Sequence, residues 1–219
     1  MRLAYAAALV RLAIVAPALL AQQDAHDHAA VSGPVRQGTV ISDTLANEIR
    51  FALLPLPEQL RSAATVMRMD SARAPVLLRQ GAGGMVCTHF VHGEDAWDAR
   101  CYEPSMARVI LRVRALVRAG VKPDSIDSHI RREIRAGKLA LPLSPTAGYR
   151  VLGPLDSYDP TTGTATPRLA SWQSLHVPFA TARAMGLPDI SIISDAQRRL
   201  VPYVMASGTW WAHVMIEHP

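Results

Sequence analysis

Residues 84–102 read GMVCTHFVHGEDAWDARCY, and this stretch predicts a β-hairpin. Residues 84–90 are rich in apolar and β-branched side chains, which favours a strand, and residues 98–102 predict the returning strand. Between them, residues 92–95 have the glycine and acidic side chains that are typical of a turn. We therefore expect two adjacent antiparallel strands here.

The two cysteines of the chain, Cys87 and Cys101, lie on opposing strands of this hairpin. In an exported protein such thiols are oxidised, so we expect a disulfide. Closing a loop of about 15 residues contributes roughly 3 kcal/mol of stability through chain entropy. The alternative is a metal site made of Cys87, His89, His92 and Cys101, since Cys87 and His89 share a strand face. That spacing fits none of the common zinc patterns.

Two further short strands, residues 65–69 and 76–79, precede the hairpin. Four strands with short connections are typical of an antiparallel meander. Gly81, Gly83 and Gly84 are predicted to be turn glycines, because the chain contains neither a GxGxxG nor a GxxxxGK[ST] phosphate-binding motif. The predicted fold class is therefore α+β, with an antiparallel sheet made of the meander and strands near the carboxyl terminus.

Two helices are predicted after the meander, as a helical hairpin packed on one face of the sheet. The first covers residues 105–119, after Pro104 and before Gly120, and the second begins with Asp124 as its cap and ends at Gly137. Apolar residues recur at helical spacing in the first helix: Met106, Val109, Ile110, Val113, Leu116 and Val117. We expect this stripe to pack against the sheet.

Residues 100–138 carry the excess positive charge, with ten basic and four acidic side chains. Four arginines of the first helix are expected to face water, away from the apolar stripe: Arg108, Arg112, Arg114 and Arg118. One hypothesis is that they dock the protein on an anionic surface such as envelope lipid, or on an acidic partner. The alternative is an ordinary solvated helix face, because arginine favours helices.

The first 21 residues have the layout of a cleaved signal peptide. Two arginines and no acid lie in residues 1–11, and residues 12–20 form an apolar run too short to cross a bilayer as a helix. Losing the two arginines lowers the formal net charge from +5 to +3. We expect a flexible segment over residues 22–38, a single α+β domain over residues 39–219, and a periplasmic or extracellular location.

Two histidines of the segment 22–38, His26 and His28, are weak candidates for copper or zinc ligands. Nothing in the sequence fixes their geometry, so a mobile polar tail is the simpler interpretation. No cofactor is predicted.

The last third of the chain contains a second pair of histidines. Residues 141–166 are rich in Pro, Thr and Gly and predict a long loop, either a lid or a flexible insertion. Residues 174–179 and 210–217 predict strands, and antiparallel pairing between them would place His176 beside His213. Such a pair is the start of a metal site or of an acid–base pair. Two hydrogen-bonded core histidines are the alternative.

Three short motifs follow one another along the chain: Gly84-Met85-Val86-Cys87, Cys101-Tyr102 and Ala212-His213-Val214-Met215. Together they resemble a family of uncharacterised exported bacterial proteins, to which no activity is assigned. The resemblance covers the larger part of the mature chain and implies export, but it supplies no catalytic residue. The family's final histidine corresponds to His213, whereas His176 has no clear counterpart, and Gly83 stands where members usually have asparagine.

Three functional hypotheses remain open. A non-catalytic exported protein that binds a small ligand or an anionic envelope surface is favoured, because neither a GxSxG nor an HExxH motif is present. The second hypothesis is a hydrolase-type enzyme centred on His213, and Ser207 beside Gly208 is only a weak nucleophile candidate. The third is a periplasmic metal-binding protein. Nucleic acid is not an expected partner, and no membrane-spanning segment is predicted.

Overall fold

The structure is a computed structural model that describes residues 45–69, 74–92, 96–159 and 161–217. The predicted signal peptide and residues 22–38, with His26 and His28, lie outside the described residues. The elements follow in this order: α1 (Leu45–Ala52), α2 (Glu58–Arg61), β1 (Thr65–Arg68), β2 (Val76–Arg79), β3 (Val86–His92), β4 (Ala96–Tyr102), α3 (Pro104–Arg118), α4 (Pro123–Arg135), β5 (Thr146–Pro154), β6 (Tyr158–Asp159), β7 (Thr164–Ala165), β8 (Ala170–His176), α5 (Ala182–Met185), α6 (Asp195–Arg198), β9 (Tyr203–Met205) and β10 (His213–Glu217).

Eight of the strands form one sheet, in the order β2-β1-β3-β4-β5-β8-β10-β9. All neighbouring strands are antiparallel except β1 and β3, which are parallel. The α+β class is confirmed, but the sheet is mixed, so the prediction of an antiparallel sheet built on a meander is wrong for this pair.

β3 pairs with β1 rather than with β2. After β2 the chain crosses beside the first residues of β1 and reaches the other edge of that strand. Gly81 lies directly against the backbone there, and a Cβ atom at this position would overlap the carbonyl oxygen of Ala63. Gly83 and Gly84 follow with φ of +132° and +100°, as expected of turn glycines. A meander would have a connection of similar length, so the short spacing of the strands could not distinguish the two topologies.

The predicted hairpin is formed by β3 and β4: β3 lies two residues later than expected, and β4 begins two residues earlier than expected. Cys87 lies opposite Cys101 in the register, and the two are joined by a disulfide, as predicted. Both cysteines are completely buried. The predicted turn, residues 92–95, lies mostly outside the described residues.

The sheet has two faces of different character, because side chains alternate along each strand. One face carries an apolar core in which β4 packs against α1: Phe51, Ala52, Trp97, Ala99, Cys101 and Val151. The other is the polar face, which we define by side chains that the register brings together across β4, β5, β8 and β10: Asp98, Arg100, Arg150, Ser174, His176 and His213.

An ion pair between a buried carboxylate and a half-exposed arginine holds α1 on the apolar face. Glu48 pairs with Arg68 of β1 and lies 3.2 Å from Nε2 of His89 of β3. Burial alone would raise the pKa of Glu48, but hydrogen bonds from His89 and Arg68 lower it to about 2. The carboxylate therefore stays ionised across the physiological range and ties three elements together.

The two predicted helices are α3 and α4. The apolar residues that recur at helical spacing in α3 are the ones that pack in its hydrophobic cluster. Glu103 caps α3 by accepting a hydrogen bond from the Ser105 backbone N–H at 2.8 Å. Asp124 does not cap α4: the preceding Lys122 occupies the cap without a side-chain bond, and Asp124 lies in the first turn. Both helices share a core cluster with Tyr102 and Trp210. No helix in the described ranges is long and hydrophobic enough to span a bilayer.

The largest difference from the sequence prediction is β5, which lies between β4 and β8. Residues 141–166 predicted a loop, with only residues 149–152 resembling a strand. The strand was not predicted because its segment contains Gly148, Gly153 and nearby prolines, and these residue types are rare inside strands. In the fold Gly148 has a packing role, since a Cβ atom there would lie 2.9 Å from Nε2 of His176.

Removing the disulfide by the double change Cys87→Ala and Cys101→Ala is expected to lower the free energy of unfolding by about 3 kcal/mol, because the unfolded chain gains freedom. Urea unfolding without reductant measures the difference. Wild-type protein unfolded with dithiothreitol should approach the stability of the variant. Equal stability of variant and oxidised wild type would contradict this account of the hairpin.

Candidate functional site

The two histidines of the carboxyl-terminal strands are neighbours on the polar face. In the antiparallel pairing of β8 and β10, His176 lies opposite His213, and the centroids of their rings are 5.0 Å apart. The predicted proximity is therefore confirmed. The strands differ in their limits from the prediction, since β8 ends at His176 and β10 begins at His213.

Aromatic rings enclose the histidine pair. The Trp211 ring centroid lies 4.8 Å from that of His176 and 5.3 Å from that of His213. The ring centroid of Tyr102 of β4 lies 5.6 Å from that of His176 and 6.4 Å from that of Trp211. Nδ1 of His213 lies 2.7 Å from the carbonyl oxygen of Trp211, so the Nδ1–H group donates a hydrogen bond to that oxygen. This bond fixes the orientation of the His213 ring.

A serine hydroxyl contacts His176, although the sequence analysis did not identify it. Oγ of Ser174 lies 3.2 Å from Nε2 of His176, and Gly148 is the residue opposite Ser174 on β5. The signal for Ser174 was its position two residues before His176, which places both on the same strand face. Ser207, the candidate proposed from sequence, instead accepts a hydrogen bond from the Ala182 backbone N–H at 3.0 Å and so holds the start of α5.

His176 is held in its neutral form. Its side chain is 2% exposed, and its Nδ1 has no hydrogen-bond partner within the described part of the chain. Burial, and then the neighbouring His213, lower the pKa of His176 well below the ordinary value of 6.5. The neutral ring is within hydrogen-bond distance of the Ser174 hydroxyl, but its low pKa makes it a weak base.

A cluster of arginines around one carboxylate lies farther along the polar face. Asp98 is completely buried, and it accepts hydrogen bonds from Arg100 and Arg150, each through Nη2 at 2.8 Å. Burial alone would lower the pKa of Arg100, but the Asp98 carboxylate raises it above its ordinary value. Arg114 of α3 extends toward this cluster and lies 4.6 Å above the Phe90 ring.

The four arginines proposed for docking do not form one solvent-facing surface. Arg114 is buried, so the expectation that it faces water is wrong for this residue. It follows Ile110 by one helical turn and so lies at the border of the apolar stripe. Arg112 forms an ion pair with Glu133 of α4. Arg108 is exposed and Arg118 is half-buried.

In the described ranges, no three His, Cys, Asp or Glu side chains lie close enough together to hold a metal ion. Cys87 and Cys101 form a disulfide, so their sulfurs are not available as thiolate ligands. His89 contacts Glu48 instead, and the side chain of His92 lies outside the described part. The alternative metal site of the hairpin is therefore wrong.

Changing His176 to Gln is expected to weaken the dependence of stability on pH. The pKa of His176 is lower in the folded than in the unfolded chain. Above pH 6.5 the ring is neutral in both states, so it does not lower the free energy of unfolding there. As the pH falls below 6.5, His176 binds a proton in the unfolded state but not in the folded state, so the free energy of unfolding falls. Urea unfolding at pH 7.5, 6.5 and 5.5 should give a slope that is smaller in His176→Gln, by up to about 1.4 kcal/mol per pH unit. Identical slopes would show that His176 titrates normally.

No protein-family model matches the chain, and comparison with curated proteins and with solved structures gives no significant match.

Proposed function

We propose that the protein is an exported, non-catalytic binding protein that holds a small ligand on the polar face, over β5, β8 and β10. The proposal rests on one observation, a set of polar, aromatic and thioether side chains that are half-buried and share one side of the sheet: Arg150, Trp172, Ser174, Trp211 and Met215. Ligand sites combine apolar and aromatic side chains with a few polar groups, and this set contains all of these.

The helical hairpin of α3 and α4 bounds this site on the β3–β4 side. Arg114 of α3 lies over Phe90 of β3, and Tyr102 packs in the cluster that contains Met106 of α3. Farther across the sheet the face opens, because the side chain of Arg150 is 25% exposed. A ligand would therefore lie against β5 and β8, beside the edge of the helical layer.

The four tryptophans divide into two classes that support this location. Trp97 and Trp210 are buried, and their indole N–H groups donate to the Leu155 carbonyl at 2.6 Å and to Asp127 at 2.7 Å. Trp172 and Trp211 are half-buried on the polar face. An indole ring with one wet side offers a ligand a large apolar surface at little entropic cost.

Two features favour binding over catalysis. The pKa of His176 is too low for an efficient general base at neutral pH, and within the described residues no carboxylate contacts its Nδ1. The Cys87–Cys101 disulfide supports export, because such bonds persist in oxidising compartments. Export through the predicted signal peptide and membership of the exported bacterial family belong to the same proposal.

The proposal predicts that a ligand perturbs two of the four indole N–H resonances. In ¹⁵N-labelled protein, fractions of a bacterial metabolite extract, separated into acidic, neutral and basic pools, should shift the signals of Trp172 and Trp211. Those of Trp97 and Trp210 should stay in place, since both indoles are buried and bonded within the core. They serve as internal controls. If no pool shifts Trp172 or Trp211, the polar face is not the binding site.

A second candidate, a hydrolase, is favoured by the contact between Ser174 and His176. A hydroxyl hydrogen-bonded to an imidazole is the arrangement by which enzymes activate a serine nucleophile. The distance of 3.2 Å between Oγ and Nε2 is within the range seen before substrate binds. His213, the centre of the enzyme hypothesis from sequence, contacts the other side of the His176 ring.

Ester hydrolysis distinguishes the two candidates. For a binding protein, wild type, Ser174→Ala and His213→Ala are expected to hydrolyse p-nitrophenyl acetate equally slowly, at the rate of general protein-surface hydrolysis. A hydrolase would instead lose at least about a thousandfold in rate when Ser174 is changed, as removal of a nucleophile does elsewhere. Circular dichroism of each variant establishes that it is folded.

A further inference from the structure

The arginine cluster of the polar face has more positive than negative charge. Arg100 of β4 and Arg150 of β5 pair with the single carboxylate of Asp98, and Arg114 of α3 lies near enough for Arg100 and Asp98 to affect its pKa. These four side chains carry a net charge of +2. Register explains how they meet, because Arg100 and Arg150 are directly opposite each other on adjacent strands.

The carboxylate of Asp98 bonds to two arginines through both of its oxygens. Oδ1 accepts from Nε of Arg100 at 2.9 Å and from Nε of Arg150 at 3.3 Å, and Oδ2 accepts from Nη2 of both at 2.8 Å. A carboxylate has about four lone-pair sites, so these four bonds hold both guanidinium groups firmly. Asp98 therefore orients the two arginines, but it neutralises only one charge.

The third positive charge lies where water solvates it poorly. Arg114 is 9% exposed, and burial together with the nearby Arg100 lowers its pKa to about 10. It is still protonated at neutral pH. An anion placed near these side chains would gain more from them than from exposed arginines, because solvent screening is weak there.

Arg150 is the point of access to the cluster. Its guanidinium has five N–H donors, and the two bonds to Asp98 use only Nε and Nη2. The side chain is 25% exposed, and its Cζ lies 5.4 Å from the ring centroid of Trp172, the residue opposite it on β8. Ser174, two residues farther along β8, offers a hydroxyl on the same face. An anion arriving at β8 meets a charged donor, an apolar ring and a hydroxyl together.

We infer that the polar face binds a small organic anion, whose carboxylate or phosphate group is held by Arg150 in the field of Arg100 and Arg114, while Trp172 packs against its apolar part. The inference rests on the proposed function for the location of the ligand and adds its chemical class. Oxyanions suit the site because guanidinium N–H groups match them in geometry and charge.

The experiment follows the Trp172 indole resonance and the melting temperature during titration with succinate, inorganic phosphate or uncharged succinamide, at constant ionic strength. We expect a saturable response to succinate or phosphate and none to succinamide. A response to succinate alone assigns a carboxylate ligand, and a response to phosphate alone assigns a phosphate. Arg150→Gln should weaken binding about tenfold or more, because a charge-assisted donor is lost, and Arg150→Lys should weaken it less. Arg168→Gln removes an exposed arginine paired with Asp156 and should have no effect.

The inference is overturned if neither anion binds wild-type protein, or if Arg150→Gln and Arg150→Lys both bind as wild type does. Should Arg150→Gln fail to fold, the wild-type titrations and Arg150→Lys still decide. If the neutral or basic metabolite pool shifts Trp172 or Trp211 while neither anion does, the proposed function stands and only the anionic class is wrong. If nothing shifts these resonances, both fail.

Discussion

The buried carboxylate of Asp98 is the constraint on which the polar face depends. An isolated charge in a protein interior costs several kcal/mol, so Asp98 is tolerated only with its two arginine partners in place. Because Arg100 and Arg150 come from adjacent strands, their bonds to Asp98 allow one register between β4 and β5. A slip of one residue would turn every side chain of β5 to the opposite face and leave the carboxylate unpaired.

That register gives the two faces of the sheet different side chains. On the apolar face, the disulfide, the α1 helix and the ion pair of Glu48 with the half-exposed Arg68 hold the central strands. The polar face also contributes to the core, because Tyr102 packs in a buried cluster with α3 and α4, and it accommodates arginines, histidines and half-buried rings. Both faces therefore stabilise the fold, whereas the recognition that we propose belongs to the polar face alone.

Local patterns in the sequence predicted the parts of this structure that depend on neighbours along the chain. The β3–β4 hairpin, its disulfide and the apolar stripe of α3 follow from alternation, cysteine spacing and helical periodicity. The proximity of His176 and His213 also followed, since it required only that two apolar segments pair. Export, the family resemblance and the function stay predictions.

The features that sequence did not predict depend on contacts between distant segments. β5 looked like a loop because Gly148 and Gly153 are poor strand residues, and their small size matters only once β8 lies beside them. β1 and β3 would point the same way in a meander too, so the feature that local patterns did not predict is the pairing of β3 with β1 rather than with β2. The arginine cluster joins β4, α3 and β5, and periodicity places Arg114 only at a border where a long side chain can turn inward.

The charge of the polar face comes from its arginines, and this follows from how the histidines are packed. Without a side chain at Gly148, the His176 ring lies across β5 and is enclosed by Tyr102 and Trp211. That enclosure keeps His176 neutral, so it adds no charge to a face that already carries surplus cations. Guanidinium groups keep their protons even when buried, as the pKa of about 10 for Arg114 shows. The anion binding that we propose for this face would therefore depend on arginines whose charge does not change near neutral pH, while His176 and the aromatic rings give the surface its shape.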